Sequence, residues 1–337
     1  MESKKVRLGL VGASGVAQIT HLPILKRMKN VDVCAIYDAD NEVAQQIARK
    51  FSIKNVPATV DEMLELGEID VVDIISNSTQ LRVPLALAAL KRGKHLMIEK
   101  PFASNLAEAR EIVQAAQINQ RKVMALMNLR FRPDAIILKS ILDNKKLGDI
   151  FFMKSGWLRR NEKWQLRDAA LQNGRGIIQT FGFQLIDLGL WLLSDPTVKT
   201  IKAIHFNKIM TAEVEDSAIV LIHLENNRVF TIEVGWNMRS GKDFIFLNLF
   251  GTRGTARLNP LTILNARDNT LIDITPSMKI FRKRPYLKSY ENQFSHFMFC
   301  VLNDQKVQSS GEEILKRFQI IDAIYESAQT GKEVVLA

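Results

Sequence analysis

The chain has 337 residues, too many for one ordinary core, and its 47% hydrophobic and 24% charged residues are the balance of a globular protein with two domains. No apolar run approaches the roughly 18 to 20 residues that cross a bilayer, which argues against a membrane protein. The net charge of +10 is scattered instead of being gathered with aromatics, so nucleic acid is not an expected partner. Cys34 and Cys300 lie far apart in apolar contexts, and read as free thiols, with no disulfide framework or metal site. Met1-Glu2-Ser3-Lys4-Lys5 runs straight into a strand without a signal-peptide core, and a cytoplasmic protein is expected.

In chain order, Val6 to Val11 is a short apolar strand, followed by Gly12-Ala13-Ser14-Gly15-Val16-Ala17 and a helical run to about Lys29. Val31 to Tyr37 is a second strand ending in Asp38, and Asn41 to Phe51 a second helix. Alternation continues with Val71 to Ile75, Val83 to Arg92, His95 to Ile98, Leu106 to Asn119 and Val123 to Met127. Strands separated by helices predict a doubly wound parallel sheet over residues 1–128. After a helix from about Asp134 to Asp143 the texture changes to β-rich segments: Ile150 to Arg159, Val198 to Phe206, Ser217 to Leu224, Arg228 to Trp236 and Phe244 to Phe250. Residues 129–337 are therefore expected to form an α/β domain on a large, mostly antiparallel, open-faced sheet. An apolar helix at Ile177 to Leu193 and a last helix from about Gly311 to Thr330, which could pack back on the first domain, complete it. The basic cluster Lys279, Arg282, Lys283, Arg284 and Lys288 reads as a solvated loop or, less economically, an anion-facing one.

The glycine turn follows a strand and opens a helix, the context in which G-x-G-x-x-G/A binds dinucleotides. Gly12 and Ala17 fit the first and third positions and Ser14 replaces the second glycine, keeping its N–H and adding a hydroxyl. Asp38 stands near the expected spacing of about 20 residues for the ribose-binding acid. Its charge repels a 2′-phosphate and no arginine follows it closely, so NAD is expected over NADP.

Lys94 to Phe102 is an apolar strand that stops at an acid, a base and a proline. Pro101 disfavours a helical Lys100, which leaves Glu99 and Lys100 at the strand's carboxyl end, where open α/β sheets bind ligands. A lysine carries protons near neutral pH only where burial or a neighbouring positive charge assists it, and a nicotinamide ring would supply that charge. In the helix Ile177 to Leu193, Thr180, Gln184, Asp187 and Trp191 recur at spacings of four, three and four and share one face. Either this stripe is satisfied internally or it lines a substrate cleft opposite Lys100.

The whole chain resembles the Gfo/Idh/MocA oxidoreductases. The likeness runs through Gly12 to Pro23, Asp38, Gly93-Lys94-His95 with Glu99-Lys100-Pro101, Asn128 to Pro133, Val214-Glu215-Asp216, Gly251 to Thr255 and Tyr325-Glu326-Ser327-Ala328. It implies a Rossmann domain, NAD or NADP, hydride transfer at a sugar or cyclitol carbon, and a role for Lys100 in substrate contact and proton transfer. It further implies cofactor binding by Gly12, Ala13, Ser14, Gly15, Val16, Asp38, Ser76, Asn77, Ser78, Glu99, Lys100 and Asn128, and substrate binding by Arg130, Thr180, Gln184 and Asp187. The chain departs from the family in two places: the aspartate and histidine of the later helix appear as Thr180 and Gln184, neither of which exchanges protons near neutral pH, and the Thr-Pro-x-x-x-His after the fourth strand appears as Asn77-Ser78-Thr79-Gln80-Leu81-Arg82. The competing expectation is thus a protein that binds NAD and a sugar-like ligand with catalysis lost or redirected. Phe244 to Phe250 would carry apolar residues on both faces, which predicts pairing of open sheets in a homodimer or homotetramer.

Overall fold

The computed structural model describes residues 5–13, 15–75, 79–160, 175–207, 214–268, 270–277 and 284–336. Ser14, Ser76, Asn77, Ser78, Lys279, Arg282 and Lys283 lie outside them. The chain forms two compact units, Met1–Phe131 with Tyr286–Phe318, and Arg132–Pro285 with Gln319–Ala337. This division differs from one at residue 128, because a later helix returns to the first unit.

In the first unit, β1 (Val6–Val11), β2 (Val31–Tyr37), β3 (Val71–Ile74), β4 (His95–Ile98) and β5 (Val123–Ala125) form a parallel sheet in the order β2-β1-β3-β4-β5 among the described residues. β3 and β4 are buried along almost their whole length, which is why β4 reads as an apolar run and β3 as one broken only by Asp73. The chain leaves β1 in one direction to reach β2 and in the other to reach β3, so the switch point lies at the carboxyl end of β1. Gly12, Asp38, Glu99 and Leu126 all follow strands at that edge.

Helix ends are set by local chemistry. Asp40 accepts from Glu42 N and Val43 N at 3.1 and 3.2 Å to start Asn41–Phe51, and Ser52 ends it at a left-handed φ of 51°. Asn105 caps Leu106–Ile118 through Glu108 N, while Glu108 reaches back to Ser104 N. The helical run after the glycine turn is shorter than expected, ending at Leu25, and contains a π turn over Ala17–His21. Its wider turn lets the consecutive residues Thr20 and His21 both lie fully buried.

The helix Pro285–Leu302 begins inside the stretch expected to be a basic loop. Tyr290, Phe294 and Phe297 recur at four and three residues, an apolar stripe that packs on Leu8, Leu10, Met97 and Met124 of the first sheet. Lys288 stands on its exposed side, 3.2 Å from Glu291.

Among the described residues the second unit is built on nine strands in the order β13-β12-β11-β10-β6-β9-β8-β7-β14, namely β6 (Ile150–Arg160), β7 (Val198–Phe206), β8 (Ser217–Leu224), β9 (Arg228–Met238), β10 (Phe244–Gly251), β11 (Gly254–Leu258), β12 (Thr262–Arg267), β13 (Thr270–Asp273) and β14 (Val334–Val335). Only β6 and β9 pair in parallel among these neighbours. Register sorts the faces. The row Ile201, Ile222, Phe230, Met153, Leu249 is buried throughout, under the helix Phe183–Leu192. Gly189 permits this approach, since a Cβ there would meet Phe230 at 2.5 Å and Met153 at 2.7 Å.

The opposite face carries Ile204, Ile219, Glu233, Gly156 and Phe246 in one row. Phe246 fills the space above Gly156, and Phe250 stacks on Phe152 at 5.5 Å. The expectation that this face of β10 is simply apolar therefore needs correction: Lys154 and Glu233 pair across it at 2.8 Å beside Asn248. Ile204 and Ile219 remain 61% and 53% exposed in the single chain, so the face is amphipathic and still largely uncovered.

Candidate active site

β4 delivers Glu99 and Lys100 to the carboxyl edge of the first sheet, before a cis Lys100–Pro101 bond. The Lys100 ammonium donates to Asn128 Oδ1 at 2.9 Å and to the Leu126 carbonyl at 3.1 Å, with the Tyr290 hydroxyl at 3.5 Å. It also lies 5.6 Å from the Tyr290 ring centre. About a quarter of its side chain, 26%, stays exposed. Asn128 is fixed in turn, its amide donating to Ser289 Oγ at 3.0 Å, and Ser289 donates to the Tyr286 carbonyl. The cation thus hydrogen-bonds to neutral acceptors, with the Glu99 carboxylate 3.8 Å away and one side open.

Glu99 is buried, and each carboxylate oxygen is engaged. Oε1 accepts from the Tyr290 hydroxyl at 2.8 Å and faces His21 Nε2 at 3.2 Å. Oε2 accepts from the Lys100 amide at 2.8 Å and sits 3.8 Å from the ammonium. Burial opposes its charge, but Lys100 and then His21 outweigh it and hold the carboxyl at about 2. Burial and the neighbouring Glu99 push the Tyr290 hydroxyl well above its usual range, so it remains a donor. Behind them, His21 Nδ1 lies 2.6 Å from Asp73 Oδ2, with both residues fully buried. Burial again opposes the charged form, yet Asp73 and Glu99 together raise the imidazole to about 9.

At the glycine turn, Gly12 and Gly15 adopt φ of 102° and 52°. A Cβ on Gly15 would meet nothing within 4 Å, so the left-handed backbone alone demands glycine, and open space lies beside it. Asp38 accepts from Ala13 N at 2.7 Å through one oxygen and from Asp40 N at 3.0 Å through the other, which locks the turn. Ala13 is buried and Val16 half-buried. A half-exposed acid at the end of β2, beside an open glycine turn, fits a nicotinamide dinucleotide through its ribose and pyrophosphate.

Other residues singled out by sequence have different surroundings. Arg130 is 1% exposed and its guanidinium pairs with Glu313, which gives it a buried structural contact. In the second unit, Thr180 lies in a π turn, Ile178–Gly182, that interrupts the regular helix expected there. Its hydroxyl donates to the Gly176 and Ile177 carbonyls at 3.3 and 3.2 Å, and Gln184 donates to the Thr180 carbonyl at 3.1 Å. Asp187 is fully buried, and Trp191 lies 6.0 Å beneath the Lys139 ammonium. The stripe is thus partly satisfied by its own backbone.

His21, Asp73, Tyr290 and Ser289 were not singled out from sequence. His21 stood within the resembling stretch Gly12 to Pro23, and Asp73 was a charge inside an otherwise apolar strand, itself a signal that a partner awaited it. Tyr290 had no local signal of its role, since its partners are 190 residues away.

A parallel sheet with a glycine turn, an acid at the next strand end and a fixed lysine at the same sheet edge fit a dinucleotide-binding redox enzyme. The chain belongs to the Gfo/Idh/MocA family: residues 6–127 match its oxidoreductase NAD-binding Rossmann fold, and residues 136–257 match its C-terminal domain. It is an NAD-binding oxidoreductase. It is 22% identical to D-apiose dehydrogenase of Rhizobium rhizogenes, over 99% of this chain and 98% of that protein, and 26% identical to D-glucoside 3-dehydrogenase of Escherichia coli, over 100% and 99%. In fold it is similar to levoglucosan dehydrogenase in complex with NADH and levoglucosan, with a TM-score of 0.89 and 20% identity over 99% of this chain and all of that one. An Agrobacterium radiobacter oxidoreductase with NAD+, L-tartaric acid and magnesium gives a TM-score of 0.86 at 22% identity, over 98% of both chains.

Proposed function

We propose that the protein moves a hydride between NAD(H) and the carbinol carbon of a sugar or cyclitol, with Lys100 as proton donor or acceptor at the oxygen. The observation that carries this reading is the Lys100 ammonium, fixed by Asn128 and Leu126 yet open on one side at the carboxyl edge of the sheet. The turn from Gly12 to Ala17 and Asp38 would hold the cofactor, which supplies hydride acceptance or donation when bound. Lys100 meets the substrate oxygen: as an ammonium it stabilises developing alkoxide and donates, and as an amine it removes the hydroxyl proton. Mixing the protein with NAD+ and a panel of D-apiose, a methyl glucoside, levoglucosan and myo-inositol, while following nicotinamide absorbance, should reveal reduction with at least one. Silence across the panel and its keto counterparts, with cofactor demonstrably bound, would support the binding-only alternative, which the dehydrogenase relatives do not favour.

Asp38 supports a preference for NADH over NADPH, because an anion beside the ribose repels a 2′-phosphate. Calorimetry should show NADH bound more tightly, with the gap narrowed by Asp38→Asn, which keeps an oxygen for Ala13 N. Tighter NADPH binding by the unmutated chain contradicts the assignment.

The uncovered sheet face around Ile204, Ile219 and Leu221 supports a homodimer or homotetramer joined there. Sedimentation at micromolar concentration should give a species of at least twice 38.2 kDa, and a clean monomer excludes this interface. Among the described residues no helix is long and apolar enough to cross a membrane, and both cysteines are free and buried, which supports a cytoplasmic location.

A further inference from the structure

Beneath the lysine lies a buried pair for which proton transfer at Lys100 has no direct use. His21 and Asp73 are both fully buried, and neither reaches the open side of the site. Both ring nitrogens face carboxylates, Nδ1 to Asp73 Oδ2 at 2.6 Å and Nε2 to Glu99 Oε1 at 3.2 Å. A neutral imidazole has one N–H and one lone pair, so between two ionised carboxylates it would set lone pair against lone pair on one side. A doubly protonated ring satisfies both. Among the described residues Asp73 Oδ1 has no hydrogen-bond partner, and burial raises the Asp73 carboxyl against the lowering pull of His21, so its ionised form depends on an imidazolium at its other oxygen. The ring is further held by Phe294, edge-on at 4.9 Å, and by Tyr290 at 5.5 Å.

We propose that His21 is a positioning residue of the Lys100 site, a buried imidazolium that fixes the Glu99 carboxylate so that Glu99 in turn holds Lys100. The inference rests on the reading of Lys100 as the proton-handling group. Glu99 joins the two halves: its Oε1 takes His21 and Tyr290, while its Oε2 takes the Lys100 amide and faces the ammonium. Without the imidazolium, Oε1 retains only the Tyr290 bond, and the carboxylate is free to rotate out of its contact with the Lys100 backbone.

The charged and titratable groups around this chain come from four elements. They are Asp73 at β3, Glu99 and Lys100 after β4, Tyr286 and Tyr290 on the helix Pro285–Leu302, and Arg82 on the helix Thr79–Lys91, whose charge is felt by Glu99. The two carboxylates outweigh burial and keep His21 charged up to about pH 9. Deprotonation above that pH should loosen Glu99, and with it the lysine.

The test joins spectroscopy on the unmutated protein with kinetics on His21→Gln, which keeps one N–H donor of similar reach. In protein labelled with 13C and 15N, two ring N–H resonances are expected for His21 from neutral pH to about 9, assigned in the unmutated protein by through-bond correlation to the His21 backbone. A single ring N–H over that range overturns the proposal even if the variant fails to fold. On whichever sugar of the panel is turned over, His21→Gln should lower kcat by about 10²-fold, the scale of a misplaced catalytic group, and leave KM and NADH affinity nearly unchanged. It should also remove a limb near pH 9 from the kcat profile. A folded variant with unchanged kcat and an unchanged limb refutes the positioning role. Lys100→Met separates the two claims: if that variant stays active, the reading of Lys100 fails, whereas the His21 resonances stand or fall independently.

Discussion

Lys100→Met is expected to lower turnover by about 10² to 10⁴-fold, the usual worth of general acid–base help, while NADH affinity stays nearly the same. The side chains are of similar length, so the change removes the ammonium and leaves most of the volume. Asn128 Oδ1 and the Leu126 carbonyl lose a donor, but the site is partly open and water replaces it. In the proposed reading most of the cofactor's affinity comes from the turn near Gly15 and from Asp38, whose hydrogen bonds do not involve Lys100. The loss should therefore fall on kcat. A Lys100→Met protein with full activity on an identified sugar removes this lysine from the mechanism.

The second large effect is structural. Glu99→Gln is nearly isosteric, but it places an amide where a carboxylate serves Tyr290, His21 and the Lys100 backbone. The amide has one acceptor oxygen for those donors, and its own N–H groups oppose one of them. Removing one member of a buried ionic network leaves the rest uncompensated, a cost of about 3 kcal/mol. The pH dependence gives the sign. Glu99 is held at about 2 in the folded chain against an ordinary 4.5, so its stabilisation is fully present above 4.5 and is lost as pH falls towards 2. Thermal melts should show the wild-type advantage over Glu99→Gln constant at pH 5 to 6 and shrinking below 4.5. A gap that widens in acid contradicts the assigned charge.

Much of the architecture was legible because its signals are local. β1 and β2 are apolar runs with turn chemistry at their ends, and the alternation with helices fixed a parallel sheet. Lys100 and Asp38 stood out because a proline and a strand end constrain them. What stayed hidden depends on distance or on broken periodicity. Two π turns, at Ala17–His21 and Ile178–Gly182, add a residue to a helical turn and change which side chains point inward, and a pattern of 3.6 residues does not register that. Tyr290 and Ser289 meet Lys100 and Asn128 across more than 150 residues of chain, which local pattern cannot reveal. The helix that carries them was obscured by the basic cluster before it, although its own stripe of Tyr290, Phe294 and Phe297 was readable. The face of β10 misled because alternation reports apolarity within one strand, and the Lys154–Glu233 pair belongs to its neighbours.

The most direct measurement is the fate of the transferred hydrogen. A sugar from the panel, deuterated at the carbinol carbon, is incubated with NAD+ and wild-type protein, and the cofactor is recovered for mass spectrometry. The expected result is deuterium in the reduced nicotinamide, formed by wild type and about 10² to 10⁴-fold more slowly by Lys100→Met. Reduced cofactor without deuterium, or label transfer that Lys100→Met carries out as well as wild type, would contradict hydride transfer assisted by Lys100.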